Sequence, residues 1–514
     1  MVAREEEAGQ AAVRAWLESG AAFEGRAPEV IVTHGNLLFL TETHAFKMKR
    51  AVDFGWMDFS SLTKRAEACR RELALNRRTA PDLYEALVAV TQAPDGGLAL
   101  DGDGQAVEWL VRMRRFEEAD RLDHLLDGGH LTRLQLRDLA GDLAAFHAAA
   151  EPTPGRGGPA VMTAIVRENA VDMAKAEGLF EPTLTDRLRS ESLACWGRVA
   201  ALLERRAAEG TTRRCHGDLH LANIVLWQGR PTPFDCIEFS EAFACIDPLY
   251  DLAFLLMDLE RRGRRDLANL VMNRWLAMIP EPRRHLAGLA LLPALLSLRA
   301  AIRAKITGFE WLEATAREAL AATARRYLEL ALAYLAPPAP RLLAIGGLSG
   351  SGKSTLAAAL APDLGAAPGA VLLRSDVLRK RLFGKAPEAL LPKAAYGPIW
   401  HRRVQEELLA QTEAALLAGH SVIVDAVNAE SEIRAQLAAL AERLRLPFAG
   451  LWLEAPLELL KARVAARSGD ASDATPAVVE AQVARCQAPA DWRSLDASGG
   501  PEQVLAAAKA ALEI

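Results

Sequence analysis

The sequence predicts two folds in series: a two-lobed α+β domain, then an α/β domain built on a parallel sheet. Three observations predict them. Short β-like runs crowd the first part of the chain and give way to helical periodicity after Phe116; Pro337-Pro338-Ala339-Pro340 then interrupts it; and beyond the prolines, apolar runs alternate with helical stretches.

Size and composition agree. A chain of 514 residues outgrows one hydrophobic core, so two or more domains are expected. With 51% hydrophobic and 25% charged residues it is neither fibrous nor disordered. A formal net charge of −5 supplies no basic field for a polyanion, so nucleic acid and membrane surfaces are not expected partners. Cys69, Cys195, Cys215, Cys236, Cys245 and Cys486 are scattered without C-x-x-C spacing, which argues against a zinc site or redox dithiol and fits a reducing cytoplasm. The first ten residues lack the apolar core of a secretory signal, and the apolar run 286–298 is too short to span a bilayer, so it reads as a buried helix.

In order along the chain, residues 30–32, 37–40 and 44–49 read as strands, and Leu62, Ala66, Cys69 and Leu73 recur at helical spacing. Beyond Phe116 the exceptions to helix are 224–227 and 233–237, which read as a hairpin. The expected small lobe covers about residues 1–115 and the helical lobe about 116–335, with a cleft between them. Residues 336–341 form an extended proline-rich linker, and residues 342–514 form the second domain. Its strand candidates are 342–345, 371–373, 422–424 and 449–453, each followed by helix, the signature of a parallel sheet with crossover helices.

Chemistry is densest in Gly347-Leu348-Ser349-Gly350-Ser351-Gly352-Lys353-Ser354-Thr355, which fits G-x-x-x-x-G-K-[ST] between a predicted strand and a predicted helix. In such a P-loop the glycines let backbone N–H groups turn inward around a β-phosphate, the lysine reaches the β/γ oxygens, and Ser354 can ligate magnesium. Bound ATP with Mg2+ is the expectation, with Gly347, Ser349, Gly350, Ser351, Gly352, Lys353, Ser354 and Thr355 at the nucleotide. Asp376, just past the second strand, is a candidate base for a substrate hydroxyl and equally suits the N-cap of a helix over 377–382. Asp425 ends the third strand, where a carboxylate holds magnesium through water. Arg463 and Arg467 are four residues apart on one predicted helix, so both can face one phosphate group or can be a solvated face.

Arg374-Ser375-Asp376-Val377-Leu378-Arg379-Lys380, with Leu451-Trp452-Leu453-Glu454-Ala455-Pro456 and Ala462-Arg463-Val464-Ala465-Ala466-Arg467, resembles the P-loop kinases that include gluconate kinases and zeta toxins. The resemblance implies phosphorylation of a small hydroxyl compound, with Arg463 and Arg467 in a lid over the phosphates.

The first domain carries His216-Gly217-Asp218-Leu219-His220-Leu221-Ala222-Asn223, which has the D-x-x-x-x-N spacing of a kinase catalytic loop. Asp218 can accept the proton of an attacking hydroxyl while Asn223 turns back to ligate magnesium, and Asp235 on the next β-like run supplies a second oxygen donor. Lys47 on the third strand and Glu72 on the following helix fit a lysine that clamps ATP phosphates and is held by an ion pair; Lys49, on the same strand face, is a rival. Residues 108–114 would be the hinge between the lobes, with backbone available to adenine.

Residues 216–223, Phe234-Asp235-Cys236-Ile237-Glu238-Phe239 and Asp247-Pro248-Leu249-Tyr250-Asp251-Leu252-Ala253 resemble the aminoglycoside phosphotransferase family, and more closely bacterial proteins that fuse that domain to a C-terminal P-loop domain. The resemblance implies a bilobal protein-kinase-like fold, Asp218 as base, Asn223 and Asp235 on magnesium, and Asp251 as a brace for the catalytic loop. The sequence departs from kinases at two places: no G-x-G-x-x-G precedes Lys47, and Asp-Cys-Ile-Glu stands where D-F-G would. No clear acidic pocket for a polycation is visible, so antibiotics do not follow as substrates. The expected activity is a bifunctional ATP-dependent kinase acting on small hydroxyl compounds. The alternatives are that one domain senses ATP for the other, or that the second is a zeta-toxin-like kinase of nucleotide sugars.

Overall fold

The structure, a computed structural model, describes residues 2–55, 57–466 and 471–514. It comprises two compact units, the first made of Met1–Leu139, Ala149–Gly157 and Arg206–Asp251, the second of Ala140–Ala148, Gly158–Arg205 and Leu252–Ile514.

The first unit is organised by an antiparallel sheet of β1 (Glu29–Val32), β2 (Asn36–Leu40), β3 (His44–Lys49), β4 (Tyr84–Gln92), β5 (Leu98–Leu100) and β6 (Gln105–Arg114), in the order β1-β2-β3-β6-β4-β5. Strand alternation divides β3 between two layers. Phe46 and Met48 pack with Phe39, Val90 and Leu110 against Val13 and Leu17 of helix α1 (Val2–Glu18). Ala45 lies on the opposite face, packed with Cys69, Leu83, Tyr84 and Val111, where helix α2 (Leu62–Asn76) sits. Lys47 and Lys49 share that face, so alternation alone aims both lysines at α2.

Two expectations change here. Residues 108–114 are not a hinge: they belong to β6, which is hydrogen-bonded to β3 on one side and β4 on the other. Glu108 within this strand is buried and bonded to the Arg65 guanidinium at 2.9 Å. The later hairpin pairs β7 (Ile224–Trp227) with β8 (Arg230–Pro233) and ends at Pro233, short of the expected 237. Gln228 (φ 49°) and Gly229 (φ 80°) form a two-residue turn that fixes this register, so Asp235 lies beyond the strand.

The second unit contains a helical part and a five-stranded sheet. In the helical part, α3 (Arg265–Met278), α4 (Pro282–Gly288) and α5 (Leu292–Glu313) follow one another. The stretch Pro282–Glu313 is long and apolar enough to cross a membrane, but 78% of its most apolar window is buried in the protein, as expected for a core helix. The sheet consists of β9 (Leu342–Gly347), β10 (Val371–Arg374), β11 (Val422–Asp425), β12 (Phe448–Glu454) and β13 (Arg493–Asp496), all parallel, in the order β10-β11-β9-β12-β13. Leu343, Ile345, Ile423, Leu451 and Leu453 pack against Leu356 and Leu360 of α6 (Lys353–Leu360). The four expected strands are present, and β13 joins them as an edge strand. Helices α7 (Ser375–Leu382), α8 (Pro398–Leu417) and α9 (Leu457–Ala465) complete the surroundings of the P-loop.

Candidate active sites

In the first unit, a buried ion network connects β3 to the loop after β8. Lys47 Nζ lies 2.8 Å from Glu72 Oε1 and 2.5 Å from Asp235 Oδ1, while Lys49 Nζ lies 2.6 Å from Glu72 Oε2 and is paired with Glu238. Both candidate lysines therefore share one α2 carboxylate, and only Lys47 touches Asp235. Burial alone would raise the Glu72 carboxyl, but the two ammonium groups hold it down at about 2. For Glu238 burial outweighs the pull of Lys49, and its carboxyl is raised.

The Asp235–Glu238 segment is pinned at each step. Asp235 adopts the left-handed region (φ 59°), its N–H donating to Tyr84 Oη at 3.1 Å. The next two N–H groups donate to Asn76 Oδ1 and the His216 carbonyl, each at 2.9 Å, and the Glu238 side chain meets Lys49.

The catalytic-loop candidates converge. Asn223 Nδ2 donates to Asp218 Oδ2 at 2.9 Å and to the Asp218 carbonyl at 3.0 Å, and Asn223 Oδ1 takes no hydrogen bond from the described residues. The carboxylate of Asp251 accepts from the N–H groups of His216 (3.0 Å) and Gly217 (2.8 Å), the latter at φ 86°. Asp251 thus anchors the turn that presents Asp218. Arg206 and Asp247 form a buried two-pronged pair at 2.7 and 3.0 Å just before it. Sequence reasoning missed Tyr84, Asn76 and the Lys49–Glu238 pair. The Asp-Cys-Ile-Glu departure was the available signal for Glu238.

In the second unit, Gly347, Gly350 and Gly352 have φ of 133°, 86° and 89°, values that place the P-loop N–H groups as only glycine tolerates well. A Cβ on Gly350 would stand 2.5 Å from the Leu460 carbonyl oxygen. Lys353 Nζ donates to the Leu348 carbonyl at 2.8 Å, and Ser349 N–H donates to Gln482 Oε1 at 2.8 Å. Ser354 Oγ donates to Asp425 Oδ2 at 2.5 Å, and Arg374 Nε stands 3.2 Å from the same oxygen. Lys353, Ser354, Arg374 and Asp425 line a cavity of about 870 Å³ that also takes in Asp376, Arg379, Tyr396, His401 and Gln405.

Asp376 is on the second residue of α7, and Arg374 occupies the N-cap position, so the expected capping role does not apply to Asp376. Burial raises its carboxyl, and the nearby Asp425 raises it further against Ser472, Arg374 and Lys353. Arg463 is not brought to the cavity: its guanidinium donates to the carbonyls of Ala497 (2.8 Å) and Gly499 (3.3 Å). Helix α9 stops at Ala465, and Arg467 lies outside the described residues.

Arg379, unremarked individually from sequence, is 7% exposed. Its Nη1 donates to the Ala395 carbonyl at 3.0 Å, its Nε has no hydrogen-bond partner, and it forms no ion pair among the described residues. Its guanidinium lies 5.0 Å from the centre of the Tyr396 ring, and burial lowers its pKa.

Comparison with known proteins gives a match to the phosphotransferase enzyme family over residues 51–289 and to the AAA domain over residues 342–489. An uncharacterized protein of Mycobacterium tuberculosis is 29% identical over 486 residues, covering 92% of this chain and 93% of its own. Adenylyl-sulfate kinase of Myxococcus xanthus is 33% identical over 126 residues, 24% of this chain and 62% of that enzyme. Among solved structures, a choline/ethanolamine kinase family protein from Mesorhizobium loti is 14% identical with a TM-score of 0.40, covering 64% of this chain and 99% of that one.

Proposed function

We propose that this chain, an ATP-dependent phosphotransferase with a phosphotransferase-enzyme-family domain over residues 51–289 and an AAA domain over residues 342–489, transfers phosphate at two separate sites, each to a hydroxyl of a small molecule. The observation that supports this reading is the recurrence of one set of residue types in each unit: a lysine, oxygen donors and a carboxylate free to be read as the acceptor's base. The proposed domain limits are 1–335 and 342–514 with 336–341 as linker, and the proposed compartment is the cytoplasm.

In the N-terminal site, Lys47 is the ATP lysine, oriented by Glu72, and Asp218 Oδ2 is held by Asn223 to receive the acceptor proton. In the C-terminal site, Lys353 and the P-loop N–H groups cradle the phosphates, and Asp376 receives the acceptor proton. Its raised carboxyl makes it a stronger base once ionised than an ordinary aspartate.

Mg2+ fits both places by donor chemistry, since each offers hard oxygen atoms: Asn223 Oδ1 and Asp235 in one, Ser354 Oγ and Asp425 in the other. When bound, the ion neutralises phosphate charge.

For the C-terminal acceptor, Arg379 narrows the class. Asp376 offsets part of the charge of this buried guanidinium without pairing with it directly, and an anionic group on the acceptor would satisfy its open Nε from inside the cavity. The proposed acceptor is therefore a hydroxyl compound bearing a carboxylate, phosphate or sulfate.

The test is metabolite-dependent ADP release by the full chain and by its Asp218→Asn and Lys353→Ala forms. Each substitution should remove one set of stimulating metabolites and leave the other. Loss of neither set overturns the reading; loss of both sets by one substitution favours an ATP-sensing role for that domain.

A further inference from the structure

Strand β10 is an edge of the parallel sheet, so one row of its backbone groups has no strand beside it. Val371 N–H donates to the Ser421 carbonyl at 2.8 Å on the inner side, which turns the Ala370 carbonyl and the Leu372 N–H outward. Both outward groups are met by a single side chain. Asn273 of α3 accepts from Leu372 N–H through Oδ1 at 2.6 Å and donates through Nδ2 to the Ala370 carbonyl at 3.1 Å. That is the pair of bonds that a residue on a neighbouring parallel strand would make. One turn earlier on the helix, Asn269, 2% exposed, donates to the same carbonyl at 3.0 Å, and its Oδ1 accepts from Asn273 Nδ2 at 3.0 Å. Gly369 has no side chain where one is excluded: a Cβ there would stand 2.9 Å from Asn269 Nδ2.

The same helix also holds α7. Arg381 donates to the carbonyls of Leu276 (3.1 Å), Ala277 (3.3 Å) and Ile279 at the C-terminal end of α3, and Arg274 pairs with Glu388 at 2.8 and 3.3 Å. The segment from Arg374 to Asp376 lies between these two attachments. Arg374 is two residues beyond Leu372, and Asp376 is on α7 itself.

We infer that Asn273 is a positioning residue of the C-terminal site: its amide acts as a surrogate strand that sets the depth of β10, and with it the place of Arg374 and Asp376 opposite Asp425. Helix α3 lies within the stretch matched to the phosphotransferase enzyme family, so a helix of the N-terminal domain is a working part of the P-loop cavity's acceptor wall. In the nucleotide wall, β9 takes its strand bonds from β11 and β12 instead. Loss of the clamp therefore disturbs the acceptor wall and spares nucleotide binding. The inference depends on the reading of that cavity as a kinase site.

The test uses the full chain in an Asp218→Asn background, where turnover reports the C-terminal site, with Asn273→Leu, which matches the size of Asn but forms neither bond, and Asn273→Asp, which keeps the acceptor atom alone. Amide hydrogen exchange should rise about tenfold or more over residues 370–376 in Asn273→Leu, less in Asn273→Asp, and stay unchanged over 342–360. Affinity for ADP should stay within about twofold, while ATP turnover falls by about fivefold or more. Unchanged exchange over 370–376, or faster exchange with unchanged turnover, overturns the inference. A Lys353→Ala chain in the same background whose turnover is unaffected would instead remove the kinase reading of the cavity, and the exchange data would still decide whether Asn273 holds the strand.

Discussion

Lys47 and Asp235 are 188 residues apart in sequence and 2.5 Å apart in the fold. Their contact joins the sheet of the first unit to the loop that follows the β7–β8 hairpin. Lys49 makes the parallel connection to Glu238, and Glu72 receives both lysines. The two rivals thus have different surroundings: Lys47 is 7% exposed beside a half-exposed carboxylate, while Lys49 is enclosed among buried acids.

That difference predicts separable phenotypes. Lys49→Met leaves Glu238 buried without its partner and should destabilise the first unit by about 3–5 kcal/mol in urea titrations. Lys47→Met should cost less stability, because Asp235 is 42% exposed and can be hydrated. It should nevertheless lower N-terminal ATP turnover, measured in a Lys353→Ala background, by about a hundredfold. Equal stability losses from the two substitutions would contradict the assignment.

Gly350 predicts the tolerance of the P-loop. Alanine there would keep an unfavourable φ of 86° and drive its Cβ against the Leu460 carbonyl at 2.5 Å and Val464 Cγ2 at 3.0 Å. Gly350→Ala should abolish ADP binding at the C-terminal site and lower stability by about 1–3 kcal/mol. Calorimetric titration and thermal unfolding check both.

His420 predicts an acid-side slope in stability. It is fully buried, it donates Nε2–H to the Leu289 carbonyl at 3.2 Å, and burial lowers its pKa from 6.5 to about 4. Between those values the unfolded chain binds the proton and the folded chain does not. Stability therefore falls as pH drops from about 6.5 towards 4, by about 3 kcal/mol in all, and is insensitive to this group above that window. His420→Gln, neutral throughout and still able to donate, should flatten the slope in urea titrations at successive pH values.

The legible parts of the sequence were those whose signal is local. Residues 342–345 and 422–424 are continuous apolar runs and are buried strands, whereas β13, Arg-Ser-Leu-Asp, has one buried residue and no such run. The Asp218–Asn223 contact follows from a fixed short spacing, and the structure closes it to 2.9 Å. The hinge expected over 108–114 was wrong because strand pairing with β3 and β4 is non-local and has no short-range mark in the sequence. Arg463 misled for a related reason: helical spacing gives direction along α9 but not the carbonyls of Ala497 and Gly499 that take the guanidinium. The Lys49–Glu238 pair and the Asn273 clamp join residues 189 and 99 apart, and no local pattern announces either.

The most direct test of two separate nucleotide sites is the stoichiometry with which the full chain binds a non-hydrolysable ATP analogue with Mg2+, measured by isothermal titration. Two equivalents should bind per chain, and Lys47→Met or Lys353→Ala should each leave one. A single equivalent in the unaltered chain, or loss of both by either substitution, would contradict the account.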